Sequence, residues 1–151
     1  ETLEQKNKHK KFGGYIFNYC LPLCVISPSS VIIHKKVFNE IGLFDEKLLA
    51  CEDYDMWLRI CSKYPVLFIN EELTNKYGGH EDQLSKKYWG IDRFRIIALE
   101  KIIKSNSLDT EQRKAAIDSL LEKTNIFLKG CEKHGENKYS ERFRKIKYRY
   151  A

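Results

Sequence analysis

"FDEKLLACEDYDMWLRICSKYP", residues 44–65, crowds Asp45, Glu46, Glu52, Asp53 and Asp55 ahead of an apolar repeat of helical period. From about Asp53 to Tyr64, the residues Met56, Trp57, Ile60, Cys61 and Tyr64 recur on one helix face, and Pro65 ends the run. A helix N-terminus carries unpaired N–H groups and a partial positive charge, so carboxylates gathered there are stabilised as anions. Two readings follow. Either Asp53 caps the helix and Asp55 pairs with Arg59 four residues on, or one carboxylate is kept as an anion ready to take a proton.

Upstream of this stretch, "KKVFNEIG" places Val37, Phe38 and Ile41 on one face of a short helix that Gly42 stops. Before it, Ser30-Val31-Ile32-Ile33-His34 is a compact β-branched run and reads as a buried strand. Pro22 ends the apolar stretch from Gly13 to Cys24. Downstream, "VLFI" (66–69) reads as a second strand and "LTNKY" (73–77) as a third, closed by Gly78-Gly79 and a polar loop. Beyond Tyr88 the periodicity is helical: Tyr88, Trp89, Ile91, Phe94, Ile97, Ala98 and Ile102 in one segment, Ala116 to Cys131 in a second, with Asp109 or Thr110 as cap. A third, basic helix is expected from about Lys138 to Tyr148, with Tyr139, Phe143 and Ile146 inward. The expected architecture is thus an α/β part of short strands and helices over residues 1–85, followed by a helical extension over 86–151.

A chain of 151 residues fits the size of one domain, and the first eleven residues, polar and lysine-rich, do not read as a signal peptide. No window approaches the ~18–20 apolar residues of a membrane-spanning helix. Cys20, Cys24, Cys51, Cys61 and Cys131 are odd in number and lack CxxC spacing, which points to a reducing, cytoplasmic setting rather than a disulfide framework. Cys131 and His134 have no second pair at zinc spacing. The net charge of +6 gathers at the ends, in the lysines of residues 6–11 and in Arg142, Arg144, Lys145, Lys147 and Arg149. Such a field attracts phosphate-bearing partners, so a basic helical module for nucleic acid or an anionic membrane surface stands as the alternative to an enzyme.

The stretch "ISPSSVIIHKKVFNEIGLFDEKLLACEDYDMWLRICSKYPVLFINEELTNKYGGHEDQLS" resembles the acceptor-side, C-terminal half of glycosyltransferase family 2 enzymes of GT-A fold. A small-residue strand (Ser29-Ser30-Val31), a helix and a G-x-F-D-E turn (Gly42 to Glu46) lead into E-D-x-D-x-W-x-x-R, matched by Glu52, Asp53, Asp55, Trp57 and Arg59. The resemblance covers about residues 26–85, and "YWGIDRFRIIAL" looks like an extension of one subgroup.

It implies transfer of a sugar, with inversion, from a nucleotide-sugar donor to a saccharide or lipid-linked acceptor. Asp53 would be the catalytic base that takes the acceptor's hydroxyl proton, with Glu52 flanking it. Trp57, Asp55 and Ser30 would bind acceptor. His80, after two glycines, would approach a divalent cation (Mn or Mg) on the diphosphate. Asp53-Tyr54-Asp55 spells D-x-D, yet the metal-holding form belongs at a buried strand end, and a helix follows here. The nucleotide-binding half of the family has no counterpart in residues 1–25, so the segment is expected to be inactive alone, its site completed by further sequence. On this reading no nucleic-acid partner is expected, and the protein works in the cytoplasm, with contact at the inner face of a membrane.

Overall fold

The structure, a computed structural model, describes residues 11–75 and 88–151. Along these the chain forms α1 (Phe17–Cys20), a 3-10 turn (Pro28–Ser30), α2 (Lys35–Ile41), α3 (Glu52–Cys61), α4 (Asp92–Lys104), α5 (Thr110–His134) and α6 (Asn137–Tyr150). Helix α3 lies between α1, α2 and α4, while α4 packs along α5 and α5 along α6.

Each boundary has a local cause. His34 opens α2 by accepting the Lys36 N–H, and Gly42 closes it at φ 84°, its own N–H returning to the Phe38 carbonyl. Helix α4 begins only at Asp92 because Gly90 turns the chain at φ 61° against α5. A Cβ there would stand 2.7 Å from the Phe127 ring, so the helical repeat that starts at Tyr88 in the sequence is interrupted. Asp109 caps α5 in a reciprocal box with Gln112, as the sequence allows, and Gly135 ends it in the left-handed conformation. Gln112 also donates to the Ser62 carbonyl, which joins the start of α5 to the end of α3.

The α/β expectation is corrected: among the described residues there is no strand and no sheet, only one antiparallel bridge between Gly14 and Val66. Val31 and Ile33 do turn inward onto Met56, Trp57 and Ile60 while Ile32 faces solvent, which is the alternation of a strand. Among the described residues no neighbouring strand lies beside them, and the 3-10 turn at Pro28 and the cap at His34 leave only three residues between helices. In "VLFI" only Val66 packs on the core; Leu67, Phe68 and Ile69 are exposed. β propensity reports fit to a pleated, half-buried surface, and with no pairing among the described residues beyond the single Gly14–Val66 bridge these runs build no ladder. Residues 73–75 are likewise irregular; Lys76, Tyr77 and the boundary expected near residue 85 lie outside the described residues.

One apolar cluster runs from Ile16 and Phe17 of the N-terminal segment through Tyr54, Leu58 and Cys61 of α3 to Leu99, Leu120, Phe143 and Ile146 of α4, α5 and α6. A second, smaller one gathers Met56, Trp57 and Ile60 under α2. Polar ties reinforce the first. Leu21 Oand Pro22 O, at the end of α1, accept hydrogen bonds from Tyr54 Oη, Ser119 Oγ and Lys123 Nζ. Glu100 of α4, largely buried, takes Lys104 at 2.7 Å and Arg149 of α6 at 2.5 Å. Leu120 is fully buried where α5 meets the core. Leu120→Ala should therefore lower unfolding free energy by about 2–5 kcal/mol, read from urea titrations of both chains.

Candidate active site

The opening acidic stretch resolves into two kinds of carboxylate. Asp55 is sealed, 1% exposed, and lies between two cations. Arg59 reaches it at 2.8 Å across one helical turn, and Lys101 of α4 reaches it at 3.0 Å. The same guanidinium donates to the carbonyls of Ile41 and Leu43, and the same ammonium binds Asp45 at 2.7 Å. The G-x-F-D-E turn, the start of α3 and the last turn of α4 are thereby held by one charge network. Its parts are complementary because a buried carboxylate is tolerable only when cations and hydrogen bonds replace its water.

Asp53 is of the other kind. Half-buried in the first turn of α3, it has no ion pair among the described residues. One of its oxygens accepts the Tyr54 N–H at 2.7 Å and the other accepts the Cys24 thiol at 3.2 Å. The helix is opened not by Asp53 but by Cys51, which adopts a left-handed backbone (φ 59°) and offers no side-chain cap. Asp53 nonetheless satisfies one free amide of the first turn, so helix stabilisation and an available anion coexist in one side chain. The thiol facing it is pushed up in pKa by burial and by the Asp53 charge, so Cys24 serves as a neutral donor. Glu52 stands half-buried beside it, also without an ion pair among the described residues.

Trp57 is 3% exposed, edge-on to Phe44, and its indole N–H has no partner among the described residues. Ser30 is exposed in the 3-10 turn and donates to the Ser27 carbonyl. His80 falls outside the described residues. Among the described residues no three His, Cys, Asp or Glu side chains gather to hold a metal ion, so the expected cation finds no fitting ligand set there. Two clefts lie away from α3, one lined by α5 and α6 and one by α1 and α5.

Two partners of the acidic stretch escaped sequence reasoning. Lys101 lies 46 residues from Asp55, with no local spacing to betray it. The hint was arithmetic: Asp45, Glu46, Glu52, Asp53 and Asp55 outnumber the cations of the stretch, Lys47, Arg59 and Lys63. Cys24, 29 residues from Asp53, read as one more thiol of a reducing compartment.

With this geometry the chain matches the family described as glycosyltransferase like family 2 over residues 16–109, and it belongs to that family. An uncharacterized glycosyltransferase of Rickettsia felis is 41% identical over 69 residues, 44% of this chain and 11% of that protein. Similar proteins of Rickettsia conorii and Rickettsia bellii are 38% and 35% identical over the same length. The chain spans about a tenth of the length of these curated relatives. No solved structure matches it.

The charge network predicts two results. Asp55→Ala leaves Arg59 with its two carbonyls and Lys101 with Asp45 alone, and should lower stability by about 1.5–3 kcal/mol in denaturant titration. The hydrogen bond from Lys101, then that from the Lys47 amide, hold Asp45 below the usual carboxylate range. Its contribution is therefore complete above the unfolded value near ~3.9 and is lost as pH falls through the lower folded value. The stability gap between the native chain and Asp45→Asn should close as denaturation is repeated at progressively more acid pH below ~4; a gap that widened would refute the assignment.

Proposed function

We propose that this chain is the acceptor-side part of an inverting glycosyltransferase, and that Asp53 is its base. One observation carries the reading: of the two aspartates in E-D-x-D-x-W-x-x-R, Asp55 is locked between Arg59 and Lys101, while Asp53 remains half-exposed and free of cations among the described residues. A base must be ionised yet not neutralised by a permanent counter-ion, and the first turn of α3 meets both conditions.

In this mechanism an acceptor hydroxyl attacks the anomeric carbon of a nucleotide sugar from the face opposite the diphosphate. The O–C bond forms as the C–O bond to phosphate breaks, the electron pair leaves on the diphosphate, and Asp53 takes the hydroxyl proton. Glu52 orients the acceptor, a saccharide or a lipid-linked saccharide. Trp57 and the turn bearing Ser30 form the wall behind it; Asp55 acts from below, by fixing the helix. Donor binding and any divalent cation, Mn or Mg, belong to residues beyond those described, His80 among the candidates, and no step here passes through them. The matched segment makes up only 11% of the Rickettsia felis relative, and the length that remains supports a separate donor-binding part. The enzyme would act in the cytoplasm, at the inner face of a membrane.

The test is Asp53→Asn in the complete enzyme, assayed by release of nucleoside diphosphate coupled to sugar transfer. Transfer should fall by roughly 10²–10⁴-fold with the circular dichroism spectrum unchanged. Turnover near that of the native protein would remove Asp53 from the chemistry.

A further inference from the structure

Helices α5 and α6 meet along a cleft of about 600 Å³ that lies away from the acidic stretch. Leu128 forms its floor, Lys129, Arg144 and Lys147 rim it, and Tyr148 stands 90% exposed at its edge. Glu132 is the single acidic residue on the lining, and it reaches Arg144 only loosely, at 3.7 Å. Lys129 and Lys147 are exposed and have no ion pair among the described residues. Neighbouring cations are differently placed: Arg149 is drawn inward to Glu100, and Lys145 pairs with Glu141.

We propose that this cleft seats the phosphate headgroups of an anionic membrane surface. Three cations rim an apolar floor, and Tyr148, exposed at the edge, offers a group that sits at a headgroup boundary. Cations alone would suit any polyanion. Their placement around Leu128 and Tyr148 instead matches a surface that is charged outside and apolar a few ångströms beneath. No helix among the described residues is long and apolar enough to cross a membrane. The inference stands apart from the role of Asp53: vesicle binding is measured without sugar transfer, and either can fail alone.

The experiment is flotation of the chain with vesicles of phosphatidylcholine alone or mixed with phosphatidylglycerol, at low and physiological salt. The expected result is partitioning only onto the mixed vesicles, weakened by salt, and reduced roughly 100-fold in Lys129→Ala/Arg144→Ala/Lys147→Ala at about a factor of five per cation. The variant Lys35→Ala/Lys36→Ala/Lys47→Ala, which removes three exposed lysines elsewhere, should bind as the native chain does. Should the first triple variant fail to fold, Lys147→Glu alone must still weaken binding. Equal loss in both triple variants, equal binding to neutral vesicles, or retention on duplex DNA without vesicle binding would each overturn the proposal.

Discussion

A single carboxylate organises this protein. Asp55 is buried in α3, where an unpaired anion would cost several kcal/mol, and it is compensated by a guanidinium one turn along its own helix and an ammonium from α4. Because Arg59 also takes the carbonyls that α2 and the following turn leave open, and Lys101 also takes Asp45, three separate pieces of backbone acquire fixed positions from one anion. Apolar packing alone would let α2 slide on Met56, Trp57 and Ile60; directional charge-assisted bonds set its register.

That arrangement also gives the family motif a physical division of labour. Gly42, Asp45, Asp55 and Arg59 form the frame, and each has a partner that accounts for it. Glu52 and Asp53 stand three and two residues nearer the helix start, in the same first turn, and lack such partners among the described residues. A helix held rigidly at Asp55 presents Asp53 at a constant position, the condition a positioned base requires. The Cys24 thiol adds a neutral donor that steadies one oxygen without cancelling its charge.

Helices were legible wherever their cause was local. The α3 repeat, the Gly42 stop, the Asp109 cap and the inward Phe143 and Ile146 of α6 all follow from residues within a turn or two of one another. The Asp55–Arg59 pair was legible for the same reason. Strands were not, because a strand exists only with a partner, and the apolar runs 31–33 and 66–69 name no partner. Non-local chemistry was hidden in the same way: nothing near Asp55 announces Lys101, and nothing near Asp53 announces Cys24. The delayed start of α4 has a local cause, Gly90, but its effect depends on a ring of α5 arriving beside it.

The end of α1 illustrates what such distances mean for a chain that is still being made. Its last carbonyls, at Leu21 and Pro22, are met by Ser119 and Lys123, 98 and 101 residues further along. At ribosomal speeds of about 5–20 residues per second, those partners arrive roughly 5–20 s after the segment they bind. During that interval Ile16, Phe17 and Cys20 have no α5 to dock on, so their docking waits on residues made long after them. The growing chain must keep them soluble until α5 exists, which leaves this short turn open to premature association for as long as synthesis of the intervening residues lasts.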